Sequence, residues 1–408
     1  MGVVPADDLP SAPTIKPVAT VEDAAWTGAA DGTRAKVFAE VLVHGPLSRI
    51  EVARRLVLSQ STVTKAVNPL VDLGYLVEVG VRTAGTGRPQ RMLQVVGGRY
   101  HAIGLQLSST HVTGVLTDLR ANVLTRVHHP LPDGHEPHTV LAAAVGVVGQ
   151  LRSTVPEGLL GVGVALGGRI DSSTGRCAHS DVLGWSDVNI GALLGTATGL
   201  PTVVDNDVHA LTIAQRWFGA ARGDGSFAVV TVGAGIGCGL LLGGGELHTG
   251  TTGLAGALGH LPVDPDGPTC TCGNPGCLEA SAADHAIIAA TAASGGPRCT
   301  TTREVAALAR SGDPAALAAY TTMGRALGRG LAILCNLLNL DRIILTGEGT
   351  HAYDVFEQPC LSAFHQHAYS TAAQDCRLTC EPVDDDLWAR GAACLVIREA
   401  VHTTRNRA

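Results

Sequence analysis

Apolar and polar positions change their period near residue 100. Before that point the spacing is helical and then alternating. A helical run begins near Thr33 and ends at about His44, where Gly45 and Pro46 stop it. Ser48 and Glu51 form a capping box that opens a second helix, Arg49 to Leu56. After a short turn at Val57 and Leu58, Ser59 caps a third helix. Its apolar residues Val63, Ala66, Val67, Leu70 and Val71 follow the i, i+3, i+4, i+7, i+8 spacing of one buried face, and Gly74 ends it. Pro69 lies inside this helix and removes a backbone donor, which predicts a kink or break near Val67–Asn68. Residues 75–81 and 91–96 alternate as strands, with a hairpin loop at Thr83–Gln90 between them. Helices followed by a hairpin predict a winged helix-turn-helix over residues 31–97. Residues 1–30, rich in Pro, Ala, Thr and Asp without a sustained period, predict a disordered arm.

From about Tyr100 strands and helices alternate. Strands are expected at Ile103–Leu107, Val112–Thr117, Leu160–Ala165, Pro201–Asp205, Ala228–Val232, Gly239–Leu242 and Arg342–Leu345. Helices are expected at Thr139–Ser153, Val208–Phe218, Met323–Leu338 and Leu387–His402. This interleaving predicts an α/β class. A length of 408 residues fits two or three domains, and 45% hydrophobic residues supply large cores. No charge-free apolar run reaches about 18 residues, so no membrane span is expected. Eleven irregularly spaced cysteines suit reduced thiols in a cytoplasmic protein. Cys376 and Cys380 have no nearby partners to complete a second metal site.

Charge adds an asymmetry. The chain carries −7 overall, yet Thr33–Arg91 holds nine Lys/Arg against four Asp/Glu. A basic module on an acidic body suits contact with phosphate at one end. The third helix turns Gln60, Ser61, Thr62, Thr64 and Lys65 away from its apolar face, as a recognition helix does toward base edges. Arg82, Arg88 and Arg91 flank the wing, where guanidinium groups can follow phosphates. The expected partner is a double-stranded DNA operator, an inverted repeat read by a homodimer or homotetramer. The competing reading of these features is a solvated helix on a protein-interaction module.

The segment GHLPVDPDGPTCTCGNPGCLE, residues 259–279, carries the most specific chemistry. His260, Cys270, Cys272 and Cys277 make a complete tetrahedral set for a structural zinc, with no position left for water. Gly273, Pro275 and Gly276 can supply the tight turns that bring three thiolates to one ion. Glu279 follows at once, a carboxylate beside the pinned loop.

Gly-His followed by Cys-x-Cys-Gly-x-x-Gly-Cys-x-Glu resembles the signature of the ROK family (repressors, open reading frames, kinases), and the likeness covers roughly residues 100–400. It implies an actin-like (ribonuclease H-like, sugar-kinase-type) α/β body of two lobes around a cleft. Lobe 1 is expected over 98–205, completed by 387–408, and lobe 2 over 206–386 with the zinc loop. The family's transcriptional regulators carry a helix-turn-helix in front of this body. The resemblance puts Asp207 in the position of the kinases' catalytic base, with Asn206 as a sugar-hydroxyl partner. Glu279 matches a sugar-binding glutamate, and His260 can both ligate zinc and contact the effector. Ala257 stands where the family has another sugar-binding glutamate.

The family's Asp-x-Gly-Gly-Thr phosphate loop corresponds here to Gln106-Leu107-Ser108-Ser109-Thr110. The acid is lost, and two serines crowd the approach that glycines would open to phosphate. Gly233-Ala234-Gly235-Ile236-Gly237 keeps the second Gly-rich segment, whereas Thr346-Gly347-Glu348-Gly349 has fewer glycines than the kinases. These departures predict no enzyme but a DNA-binding regulator, a repressor of sugar uptake or catabolism genes, with a body that senses a sugar or sugar derivative in the cytoplasm and on the nucleoid. The alternatives are an ATP-dependent sugar kinase fused to a DNA-binding domain, or a regulator that senses a partner protein.

Overall fold

The computed structural model describes residues 32–82, 89–131, 135–155, 157–243, 245–384 and 386–402. The expected arm at 1–30 and the loop residues 83–88, Arg88 among them, lie outside the described residues.

Helix α1 (Gly32–His44) buries Val37, Phe38, Val41 and Leu42. Strand β1 (Leu47–Ser48) leads into α2 (Arg49–Arg55), whose capping box is made in full: Ser48 Oγ accepts from Glu51 N–H, and Ser48 N–H donates to Glu51 Oε2 at 2.8 Å. Helix α3 (Gln60–Asp72) is capped by Ser59 and buries Val63, Ala66, Val67 and Leu70. Of the kink or break expected near Val67–Asn68, the break does not occur: α3 is continuous through Pro69. The carbonyl that Pro69 leaves without a helical donor belongs to exposed Lys65, where water can satisfy it, while Val67 and Leu70 hold both sides of the proline in the core. Strands β2 (Leu76–Arg82) and β3 (Gln90–Val95) pair antiparallel, and β1 adds to β3, giving the order β1-β3-β2.

The chain then divides into two compact units, residues 1–206 with 388–408 and residues 207–387. In the first, β4 (His101–Leu107), β5 (His111–Asp118) and β6 (Val123–Pro130) form an antiparallel meander. Helix α4 (Pro137–Arg152) leads to β7 (Leu159–Leu166), parallel to β4. A small sheet of β8 (Arg169–Asp171), β9 (Arg176–Ser180) and β10 (Trp185–Val188) follows, then α5 (Ile190–Thr198) and β11 (Thr202–Asn206), parallel to β7. Among the described residues the main sheet has the order β11-β7-β4-β5-β6.

The second unit opens with α6 (Asp207–Phe218), followed by the antiparallel pair β12 (Phe227–Val232) and β13 (Ile236–Leu241). Helices α7 (Glu279–Ala282), α8 (Asp284–Ala293), α9 (Thr302–Arg310) and α10 (Pro314–Leu338) come next. Strand β14 (Arg342–Thr346) lies parallel to β12, then come α11 (Tyr353–His367), α12 (Ala372–Asp375) and β15 (Arg377–Cys380). Met323, Leu327, Leu331, Phe356 and Phe364 are fully buried between α10, α11 and the sheet β13-β12-β14-β15.

Helix α13 (Leu387–His402) returns to the first unit. Gly104 of β4 and Gly163 of β7 are paired neighbours. A Cβ at Gly104 would lie 1.9 Å from the Ala389 carbonyl oxygen, and one at Gly163 1.9 Å from that of Ala392. The two glycines therefore let the backbone of α13 rest on the sheet. Its Ala389, Ala392, Ala393, Leu395, Val396 and Ile397 are buried there. On the opposite face Gly114 admits Val147 and Leu151 of α4. Gly163→Ala is expected to lower stability by about 1–3 kcal/mol or more, because the clash is with backbone that cannot rotate away. Urea unfolding of the variant, showing a midpoint unchanged from wild type, would contradict this packing.

Candidate functional site

His260 ends a single 3-10 turn, Leu258–His260, and its N–H reaches back to Ala257 O. From there the chain makes a compact loop held by backbone bonds: Val263 N–H to Gly276 O, Gly276 N–H to Pro268 O, Cys270 N–H to Asn274 O and Leu278 N–H to Leu261 O, all 2.8–2.9 Å. Gly276 has φ +70, and a Cβ there would lie 1.7 Å from Asp264 O, so no other residue fits the corner. The loop brings one ligand atom each from His260, Cys270, Cys272 and Cys277 within 4.8 Å of one another. Cys270 Sγ is 3.6 Å from His260 Nδ1, and Cys272 Sγ is 3.7 Å from Cys277 Sγ. Without an ion the thiols are unequal. The Asn274 backbone draws Cys272 down to about 7, whereas burial and the neighbouring thiols push Cys277 up to about 12. This cluster can hold a metal ion.

The loop delivers Glu279 at the start of α7. Glu279 Oε2 accepts a hydrogen bond from Ile236 N–H at 3.0 Å, at the start of β13 just after the turn from β12. A Cβ at Gly235 would lie 2.9 Å from the same oxygen. The other flank of the turn meets Glu348, whose Oε2 lies 3.0 Å from where a Gly233 Cβ would be. Asp207 begins α6, and the following Val208 packs against Gly237 of β13. Burial raises the Asp207 carboxyl to about 6, and the Glu348 carboxylate pushes in the same direction. Within the first unit, Asn206 Nδ2 donates to Gly168 O at 3.0 Å.

The turn between β4 and β5 is closed on itself. Ser108 Oγ accepts from the N–H groups of Thr110, 3.3 Å, and His111, 3.1 Å. It also lies 3.0 Å from His111 Nδ1, and Thr110 Oγ1 lies 2.9 Å from that nitrogen. The His135 ring bonds Ser109 O.

In the N-terminal module Gln60, Ser61, Thr64 and Lys65 are exposed on α3. Thr62 is partly buried, and its Oγ1 lies 2.8 Å from Ser59 Oγ, so its side chain belongs to the helix cap. Arg82 is paired with Glu51, and Arg91 with Glu78 at 2.7 Å. Hydrogen bonds from Arg91 and Arg49 hold the Glu78 carboxyl below its ordinary range. The module is joined to β4 by a stack that the sequence pattern does not predict. The Tyr75 and Tyr100 rings lie 5.8 Å apart at 12°, their hydroxyls 3.1 Å apart, with the Arg99 guanidinium 4.8 Å from the Tyr75 ring centre.

A family model described as ROK family matches residues 102–399. The chain belongs to the ROK family. Among curated relatives, the N-acetylglucosamine repressor of Escherichia coli O6:H1 is 31% identical over 78% of this chain and 80% of its own. The xylose repressor of Bacillus spizizenii is 25% identical over 88% of this chain and 93% of its own. A crystal structure of a ROK family transcriptional regulator, a homolog of the E. coli MLC protein, superposes with a TM-score of 0.78 at 26% identity, covering 91% of this chain and 97% of that one. A ROK hexokinase from Thermus thermophilus superposes with a TM-score of 0.63 at 30% identity, over 72% of this chain and 97% of its own. The ROK body is thus an actin-like, sugar-kinase-type fold. Among the described residues of this ROK protein no helix is long and apolar enough to cross a membrane.

The loop geometry yields a prediction about the ROK signature. Cys272→Ser should weaken metal retention at least tenfold, because thiolate is lost from a closed set. It should also raise the mobility of Glu279, two residues beyond Cys277. Metal content per chain after dialysis against a chelator measures the first effect. Equal metal content in variant and wild type would contradict the site.

Proposed function

We propose that this ROK protein is a DNA-binding transcriptional repressor whose body binds a sugar and transfers no phosphate. The observation that carries the reading is α3. Its apolar face is locked in the N-terminal core while Gln60, Ser61 and Lys65 point outward at the start of a helix that follows another by a short turn. With the β2–β3 hairpin this is a winged helix-turn-helix, and α3 is its recognition helix. The relatives named as repressors support the same role.

Lys65 and the wing residues Arg82, Arg88 and Arg91 supply the cationic contacts. Arg82 and Arg91 must exchange Glu51 and Glu78 for phosphate, so their net gain is smaller than that of Lys65. Two such modules in a homodimer or homotetramer would read an inverted repeat.

The metal is zinc in a structural role. Zinc bonds of about 2.3 Å to sulfur and about 2.0 Å to nitrogen give tetrahedral edges of about 3.8 and about 3.5 Å. The Cys272–Cys277 and Cys270–His260 separations of 3.7 and 3.6 Å suit those edges. The zinc loop holds Glu279 in place. Asn206, Asp207, His260 and Glu279 are the effector-binding residues, offering carboxylates, an amide and an imidazole to sugar hydroxyls.

Phosphoryl transfer is not supported. The amides of Thr110 and His111, which a phosphate loop would present to its ligand, are already taken by Ser108. Gln106 supplies no charge to a metal-bound nucleotide. A coupled assay with ATP and a panel of hexoses tests this directly, and turnover above background would favour the kinase reading.

Two further outcomes are expected. Lys65→Ala should weaken operator binding and flatten the dependence of log affinity on log salt by about 0.9 for each phosphate that Lys65 neutralises. An unchanged slope and affinity would remove Lys65 from the interface. Asp207→Asn should leave operator binding intact and weaken the effector response tenfold or more, the scale of a lost charged hydrogen bond worth about 1.5–3 kcal/mol. Wild type should lose effector affinity as pH falls from 7 to 5, because Asp207, at about 6, then takes up a proton and accepts hydroxyls less well. Effector affinity unaffected by both changes would take Asp207 out of the site.

A further inference from the structure

We infer that the effector is a neutral sugar and that Glu348 excludes its phosphate ester. The inference rests on the reading that Asp207 and Glu279 hold the effector. A phosphate on a sugar bound by those two residues would be presented to the turn between β12 and β13, residues 233–235, beside which Ile236 meets Glu279 and Gly237 meets Val208, the neighbour of Asp207. Such a turn receives phosphate when its amides are free and no negative charge competes. Here Glu279 takes the Ile236 amide on one flank, and the Glu348 carboxylate lies over Gly233 on the other.

Glu348 is held there by the backbone on both sides of it. A Cβ at Gly347 would lie 2.4 Å from Val232 O, and one at Gly349 2.9 Å from Val232 Cγ1. Both glycines therefore rest directly on the end of β12, and the backbone of Glu348 between them is fixed at the mouth of the turn, with its side chain exposed. Gly347 has φ +99, a conformation a side chain would strain.

The field of this carboxylate spreads across the site. Both Asp207 and Asp284 are raised chiefly by burial, and Glu348 adds to each shift. The groups that offset them are the Val208 N–H and His209 at Asp207, and His351, His285 and the Thr302 hydroxyl at Asp284. A neutral sugar meets this surface with hydroxyl donors, which carboxylates accept. A phosphate dianion meets like charge; because Glu348 is exposed, that repulsion is screened by salt and is strongest at low ionic strength.

The test is calorimetric titration of the full zinc-loaded chain with glucose, N-acetylglucosamine and xylose, each beside its terminal phosphate ester, in wild type and in Glu348→Gln. The isosteric amide removes the charge and keeps the packing. Wild type is expected to bind at least one neutral sugar tenfold or more tightly than its ester. Glu348→Gln should shrink that ratio at least fivefold by improving the ester. An ester that binds wild type more tightly than its parent would overturn the inference while leaving the sugar-sensing reading intact. So would a ratio unmoved by Glu348→Gln. No binding of any sugar in either form would overturn the inference together with the reading beneath it.

Discussion

The seat of α13 on Gly104 and Gly163 organises the first unit. A helix lying with its backbone on a sheet requires two adjacent strands without side chains at the crossing. The chain meets that requirement at one paired position in β4 and β7. Burial of α13 then covers the face of the sheet opposite α4. With β4 fixed at its middle, both of its ends become defined. Its first end follows the Tyr75–Tyr100–Arg99 stack that carries the N-terminal module. Its last end runs into the self-bonded turn at Ser108. Strand β7, held by the same packing, pairs with β11, which ends at Asn206.

In the second unit a different device serves the same end. A loop rich in turns is closed by backbone bonds and by a His-Cys cluster that can take a metal. The residue just beyond it, Glu279, is thereby set against a Gly-rich turn. On the proposed reading, free energy that a kinase would gain from nucleotide phosphates has no outlet here. In the first unit Ser108 consumes the amides, and in the second Glu279 and Glu348 flank the turn with charge. The proposed change from kinase to sensor needs no new fold. It needs side chains where glycine would leave backbone open.

Elements with strong periodicity were legible in the sequence. The capping box at Ser48 and Glu51, the buried face of α3 and the apolar strands β7, β12 and β14 follow directly from spacing. So do the metal-cluster residues, because ligand type and spacing fix their chemistry locally. Strand β6 was missed because it lies at a sheet edge and carries Arg126, His128 and His129 with little apolar content. Helix α8 was missed because its run of alanines and isoleucines after Asp284 and His285 has almost no polar face to contrast with. The Tyr75–Tyr100 stack, the Ser108 turn and the approach of Glu348 to Gly233 depend on residues that meet only after folding. No local pattern announces them. Proline at position 69 does not break α3, because its cost falls on a carbonyl that water can reach.

If one chain couples DNA recognition to sugar occupancy, both properties must appear in a single experiment. That experiment is selection of genomic DNA fragments by the full-length protein, sequenced with and without a panel of neutral sugars. Fragments sharing an inverted repeat should be enriched, with recovery changed severalfold by at least one sugar. Enrichment of no common sequence, or enrichment indifferent to every sugar, would contradict the coupling.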